Sequence, residues 1–205
     1  MPTWCAVNTQ LVKFAPRLQK EVGLGAGECA KVASLVAADV RFLSPEAKAE
    51  IVKASPVPLA ARVEELLAFQ KWMELASSVQ GHPEVVRAQV IVQNYVCFVY
   101  LKDACFEILA DRAPNRSVAA RCAGYLSRRA VRDFRNAFSH ANWFYKSDFS
   151  GLDCWVLQDA RNKGGPMRQF TVSRDDLDFW QTLARAVAYV TYEQLRGLDP
   201  ASAPR

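Results

Sequence analysis

RSVAARCAGYLSRRAVRDFRNAFSH, residues 116–140, is the stretch of sequence that decides the fold. On a helical wheel at about 100° per residue, its apolar side chains fall on one side and its basic side chains on the other. The apolar side consists of Cys122, Leu126, Ala130, Phe134 and Phe138. This pattern predicts an amphipathic helix packed against a core, running from Arg116 to about Asn142.

The sequence before this helix also has mainly helical patterns. They cover residues 28–42, a short segment that starts at Pro45, residues 59–80 and a nearly all-apolar stretch at 84–111. Pro45 suits the first turn of a helix because its missing N–H needs no partner there. Gly23, Gly25 and Gly27 indicate a loop at the end of an N-terminal extension, residues 1–26, that precedes the helical domain.

After the helix the pattern changes to that of strands. Residues 154–158 and 167–172 are rich in β-formers and are separated by Asn162-Lys163-Gly164-Gly165-Pro166, which predicts a β-hairpin. Ser173 followed three residues later by Asp176 predicts the cap of a last helix. We therefore expect a mainly all-α domain over residues 27–196, an antiparallel bundle of four or five helices with one small β-hairpin before the last helix. Residues 197–205 form a tail.

Composition sets limits on the class of protein. The 205 residues are 51% hydrophobic and 23% charged with a net charge of +5, which is typical of a globular domain and not of a disordered chain. Residues 1–20 lack the apolar core of a signal peptide, and the apolar run at 85–101 is too short and too polar for a membrane span. We expect a cytoplasmic protein that has no membrane contact.

Cysteine usage argues against a metal centre. Six cysteines are present, none in a C-x-x-C arrangement, and there are two histidines. A structural zinc site is therefore not expected. Since free cysteine is among the most buried residue types, we expect reduced, buried thiols. We expect no metal and no cofactor.

Positive charge is concentrated on the helix quoted above. Between Arg116 and Lys146 there are seven basic residues against one acid, Asp133. The basic side of the wheel consists of Arg121, Arg128, Arg132, Arg135 and Ser139. One interpretation is a solvated face, since arginine is a good helix former. Such faces usually alternate in sign, however, so this one also suits an anion such as a nucleic-acid backbone.

The segment Arg135-Asn136-Ala137-Phe138-Ser139-His140 ends this helix. It resembles the R-x4–6-H signature of the HEPN superfamily, in the form in which a polar residue follows the arginine. The context agrees, because the helix precedes the last one of the expected bundle and Trp143 follows the histidine. The motif itself covers six residues.

The resemblance implies a ribonuclease that cuts RNA without a metal, through attack of the ribose 2′-hydroxyl that leaves a 2′,3′-cyclic phosphate. His140 would move the proton and Arg135 would bind the phosphate oxygens. Asn136, one turn before His140, would orient the imidazole. Further contacts with the RNA are expected from Arg128, Arg132, Ser139 and Trp143.

HEPN proteins typically form homodimers in which both motifs face a shared cleft. This suits the helix, because Arg135 and His140 are about 140° apart on an ideal wheel and would meet more easily across a two-fold axis. Toxin or defence members of the family imply an antitoxin partner. In some toxins a tyrosine two residues after the histidine is modified by a partner nucleotidyltransferase. Asn142 stands at that position, and the nearest tyrosine is Tyr145.

Two other functions stay open. The first is a HEPN-type dimer that binds RNA or a nucleotide without cutting it. The second is a helical protein-interaction scaffold in which the motif is accidental and His140 is only a helix-terminal histidine favoured by the helix dipole. His82, in the turn Gly81-His82-Pro83, is expected to be structural.

Overall fold

The computed structural model describes residues 10–32, 34–36, 44–53, 91, 94–113, 116–148, 150–159 and 161–195. Within these residues the chain is mostly helical and carries one three-stranded antiparallel sheet. The mainly α class is therefore confirmed. The helix expected at 59–80, His82, Cys5 and the tail at 197–205 lie outside the described residues.

The N-terminal part forms two short helical pieces joined at glycines. Helix α1 (Ala15–Arg17) continues into a π-helical turn, Leu18–Val22, and Gly23 ends it at a left-handed φ of 80°. The loop expected at the glycines is present, and helix α2 (Ala26–Ala30) follows it. The buried side chains here join the main core: Leu11, Phe14, Leu18, Val22 and Leu24. Residues 10–24 therefore pack with the domain that follows them.

Helix α3 (Pro45–Lys53) begins at the proline that predicted it. The helix expected at 28–42 is present in α2 and at residues 34–36, and residues 37–43 are not described. The apolar stretch expected at 84–111 is helical where it is described. It contains two π-helical segments, Tyr95–Tyr100 and Lys102–Phe106, and then helix α4 (Glu107–Arg112).

The expectation of one helix over residues 116–142 is wrong. Helix α5 (Val118–Leu126) and helix α6 (Arg129–Ser139) are separate, because Arg128 has an extended backbone with φ −69° and ψ 162°. The Ser127 hydroxyl donates to the carbonyl of Ala123 at 3.0 Å, which occupies the end of α5. The break shifts the helical phase, so that Ala130 is exposed and Val131 is buried in its place.

The expected hairpin is confirmed, and it is part of a larger sheet. Strands β2 (Gly151–Leu157) and β3 (Met167–Ser173) pair antiparallel. A third strand that the sequence did not predict, β1 (Trp143–Tyr145), pairs with the other edge of β2. Helix α7 (Arg174–Leu195) starts at the expected cap, where the Ser173 hydroxyl accepts from the backbone N–H of Asp176 at 3.0 Å.

An aromatic cluster holds α6 on the core. Phe134 is fully buried, and its ring centroid lies 5.4 Å from that of Phe98, 5.8 Å from that of Phe138 and 5.8 Å from that of Trp180. Trp180 belongs to α7, so the cluster ties α6 to the last helix. The opposite side of α6 is left to face solvent.

The thiols are free and buried at the five described cysteines, Cys29, Cys97, Cys105, Cys122 and Cys154, as expected. Burial raises the pKa of Cys97 to about 11 and the pKa of Cys105 and of Cys154 to about 12. No helix in the described ranges combines the length and apolar character that crossing a bilayer requires.

Candidate functional site

The end of α6 fixes the position of His140. The N–H of His140 donates to Asn136 O, that of Ala141 to Phe138 O and that of Asn142 to Ala137 O, at 3.2, 3.2 and 2.8 Å. The last two bonds form a Schellman motif with Ala141 in the left-handed conformation, at φ 55°, where glycine is usual. His140 is consequently held at the C-cap, exposed, and the chain turns at once into β1.

An open groove of about 990 Å³ runs between α6 and the hairpin, and His140 lines it. Helix α6 supplies Arg129, Arg132, Asp133 and Asn136 to the same groove. The other wall consists of Asn142, Trp155, Val156, Leu157, Gln158, Lys163, Met167 and Arg168. The β2–β3 hairpin, and not only the motif helix, therefore builds the site.

The groove is electropositive. Arg129, Arg132, Lys163 and Arg168 line it against a single described carboxylate, Asp133. One oxygen of Asp133, whose side chain is 15% exposed, accepts from the Arg168 guanidinium and lies 3.6 Å from Nε of Arg129. Arg132 and Lys163 make no ion pair with any described side chain. The groove therefore keeps an excess of positive charge for an anionic ligand.

The arginine and the histidine of the motif do not line the same groove within one chain. Arg135 does not line the groove, and its Nη2 donates to Asn136 Oδ1 at 3.3 Å. No hydrogen bond between the described side chains joins Asn136 to the imidazole of His140. The Ser139 hydroxyl donates to the carbonyl of Arg135 at 2.8 Å, outside the groove. Two of these four motif residues, Asn136 and His140, line the groove.

The arginines before the break hold the N-terminal segment. Arg128 donates from Nη1 to the carbonyl of Glu21 at 2.7 Å, and its guanidinium lies over the ring of Tyr125. Arg121 forms an ion pair with Glu28 and donates to the carbonyl of Gly23. The basic stripe that looks continuous in the sequence is thus divided, and of its residues Arg132 lines the groove.

Trp143 belongs to the core side of the sheet. Its ring stacks on Phe138 with centroids 5.2 Å apart and an interplanar angle of 13°, and it meets Tyr145 edge-on. Trp143 also packs against the buried core. Trp143, from which a contact with RNA was expected, therefore packs on the core side and does not line the groove.

The groove residues that sequence reasoning missed include Arg129, Trp155, Lys163 and Arg168. Lys163 lies in the predicted hairpin turn and Arg168 follows it closely, so basic residues at a hairpin tip were the available signal. Nothing in the sequence placed that tip against α6. Arg129 was counted among the basic residues of the helix, but on an unbroken helical wheel it does not fall on the basic side.

A second cavity, about 780 Å³, adjoins the groove and shares Arg129, Asp133 and Arg168 with it. It is lined by a hydrogen-bonded cluster in which Arg17 pairs with Glu21 and Asp176, both at 2.7 Å. Burial disfavours the charged carboxylates. Hydrogen bonds from Arg17 and Tyr125 to Glu21 outweigh burial and hold the pKa of Glu21 below its usual value. Hydrogen bonds from Ser173 and Arg17 do the same for the pKa of Asp176.

Tyr125 completes this cluster. Its hydroxyl donates to the carboxylate of Glu21 and accepts from the indole N–H of Trp180 at 3.0 Å. Burial, and then the hydrogen bond to Glu21, raise the pKa of Tyr125 to about 12. The polar groups named here have partners, so the cluster joins α1, α5 and α7 behind the groove.

Comparison with protein-family models, with curated proteins and with solved structures found no match. In the described part of the chain, no three His, Cys, Asp or Glu side chains are grouped as metal ligands. The site is therefore interpreted from its own residues.

Proposed function

We propose that the chain is a metal-independent endoribonuclease of HEPN type. The observation that carries the proposal is the position of His140, exposed at the end of α6 in a groove lined by Arg129, Arg132 and Arg168. An imidazole beside several cations has the parts that RNA transesterification needs. The HEPN-type antiparallel bundle of four or five helices is part of the same proposal.

The reaction requires one proton to move and charge to be neutralised. The 2′-oxygen forms a bond to phosphorus while the bond from phosphorus to the 5′-oxygen breaks, leaving a 2′,3′-cyclic phosphate. The proton lost by the 2′-hydroxyl is balanced by one gained by the 5′-oxygen, and an imidazole can serve either end. Guanidinium groups stabilise the charge that develops on the phosphate oxygens.

A two-fold dimer supplies what one chain lacks. Arg135 does not line the groove that contains His140, so we assign it to phosphate binding across a dimer interface. In this arrangement each composite site contains His140 of one copy and Arg135 of the other. A toxin or defence role with an antitoxin partner, and a cytoplasmic location, rest on the same resemblance.

Incubation of the wild type and of His140→Ala with structured RNA in EDTA tests the proposal. The wild type is expected to cut and to leave 2′,3′-cyclic phosphate ends, and His140→Ala is expected to lose this activity. Mixing His140→Ala with Arg135→Ala should restore part of it if the site is shared between copies. Equal cleavage by the wild type and His140→Ala would contradict the proposal.

One observation favours a second candidate, a dimer that binds RNA or a nucleotide without cutting it. The side-chain oxygen of Asn136 accepts from Arg135, so the imidazole lacks the partner that fixes its tautomer in the described residues. Salt-sensitive RNA binding without cleavage by the wild type would support this candidate.

A further inference from the structure

We propose that the groove takes single-stranded RNA and that one unpaired base stacks on the ring pair Trp155–Phe144 on the outer face of the sheet. The identity of the polymer rests on the function proposed above. The base-binding subsite itself lies outside the motif.

Alternation along the strands separates the two faces of the sheet. Leu152, Cys154 and Val156 of β2 are buried on the core side, so Trp155 between them points to the outer side. Phe144 pairs directly with Asp153, the residue two before Trp155, and therefore shares this outer face. Phe144 is 69% exposed.

The two rings form a corner at the groove. Their centroids are 5.7 Å apart and their planes make an angle of 80°. Trp155 itself lines the groove that contains His140. Its backbone N–H donates to Asn142 O at 2.9 Å, two residues after His140. The main chain thus ties Trp155 to the segment that directly follows the proposed reacting group.

Base stacking explains this combination better than protein docking. Every base has a π-face, and an aromatic ring next to cations that track the backbone is the usual arrangement for single-stranded nucleic acid. The same face also carries polar groups, since the Thr171 hydroxyl donates to Asp153 Oδ1 at 2.7 Å. The rings are therefore bordered by polar side chains on the sheet, and Trp155 lines the same groove as Lys163 and Arg132. Arg168 pairs directly with Val156 and so lies on the opposite, core-side face.

The same stacking contact indicates that the RNA is single-stranded. Bases of an A-form duplex are already stacked on their neighbours and are not open to a protein ring. A subsite that binds a base by stacking consequently favours an unpaired strand. Loops and tails of RNA offer such bases, whereas a continuous helix does not.

Binding measurements with short RNAs test the inference. The probes are fluorescein-labelled twelve-nucleotide oligouridylate and its duplex with oligoadenylate, titrated by anisotropy in EDTA in a His140→Ala background that prevents cleavage. Trp155→Leu and Phe144→Leu remove a ring and keep apolar bulk, and Trp155→Phe is the matched control that keeps a ring. Circular dichroism checks that each variant is folded.

We expect tighter binding of the single strand than of the duplex. Trp155→Leu and Phe144→Leu should each weaken single-strand binding by about 5- to 150-fold, the range for loss of one base stack, while Trp155→Phe retains most of it. Equal affinity for the two RNAs, or normal single-strand binding by both leucine variants, would overturn the inference. A shift of the monomer–dimer equilibrium in these variants with unchanged RNA binding would also overturn it, because the rings would then be a protein interface.

The two proposals fail separately. If wild-type protein cuts RNA and the leucine variants bind normally, the subsite is wrong and the proposed function stands. If binding depends on the rings but wild-type protein does not cut, catalysis is wrong and the subsite stands.

Discussion

The division of the arginine stripe at Ser127–Arg128 leads to a matched pair of substitutions. Arg132→Ala removes a charge from the groove, and Arg128→Ala removes an equal, exposed charge from the other side of the break. Arg132 is expected to contact a phosphate. Arg128 is not expected to contact a phosphate, because it donates to the carbonyl of Glu21.

The magnitude follows from the number of groove cations. Four phosphate contacts by Arg129, Arg132, Lys163 and Arg168 give a slope of log K against log salt of about −2.8 for single-stranded RNA. Affinity should then fall about 50-fold between 50 and 200 mM salt. Loss of one contact reduces the slope by about 0.7, which is about 5-fold in affinity at 0.1 M salt, or about 1 kcal/mol.

The assay is anisotropy of labelled oligouridylate across a salt series, again in the His140→Ala background. Arg132→Ala should give a slope of about −2.1, and Arg128→Ala should keep the parent slope. Thermal denaturation shows whether loss of the bond to Glu21 unfolds the control. An equal reduction of slope in both variants would refute the division of the stripe, and an unchanged slope in Arg132→Ala would refute its phosphate contact.

Asp133→Asn removes the groove carboxylate and should strengthen RNA binding, measured by anisotropy, by about 5-fold at 0.1 M salt, the effect of one unit of charge. The same substitution should lower the free energy of unfolding, measured in urea, because Arg168 loses its partner. Phe134→Ala should reduce the free energy of unfolding by about 3 to 5 kcal/mol in urea titrations, since the ring is fully buried among aromatic neighbours. The pKa of Asp176 is below its usual value in the folded chain. The ionised carboxylate therefore stabilises the fold above the unfolded pKa, and this stabilisation is lost as the pH falls. Urea unfolding between pH 3 and 7 should show the loss, and the loss should be smaller in Asp176→Asn. Cys105, whose pKa burial raises to about 12, should react with a thiol reagent at pH 8 only after unfolding; rapid reaction of the folded chain at Cys105, located by mass spectrometry, would contradict its burial.

Local patterns in the sequence were enough to predict several elements. The start at Pro45, the hairpin and the cap at Ser173 each depend on neighbouring residues, and each is present. The last helix follows from that cap because the serine and Asp176 satisfy each other's backbone and side-chain groups. Information of this kind is contained within a few residues.

The break before α6 was not predictable from the local pattern. Ser127 and Arg128 are both acceptable inside a helix, and the apolar phase continues through Ala130. The contact that accompanies the break joins Arg128 to Glu21, 107 residues earlier in the chain. Strand β1 was missed for a related reason, because three aromatic residues form a strand only where an edge of β2 is available.

The site was predictable in part. The sequence indicated His140, Asn136 and Arg132, which all line the groove. It did not indicate Trp155, Lys163 or Arg168, because their proximity to α6 depends on how the sheet packs on that helix. Helical periodicity relates residues within one element and carries no information on which strand faces them.

The short turn after α6 also limits where the chain tolerates changes in length. Side chains on a strand alternate between two faces, so one residue inserted between His140 and Trp143 would exchange the faces of β1. Phe144 would then enter the core, and Trp143 would leave its place on Phe138. Inserted residues at the exposed hairpin tip near Lys163 would disturb no such alternation. Loop grafts that leave the helix-to-strand junction intact therefore belong at the tip.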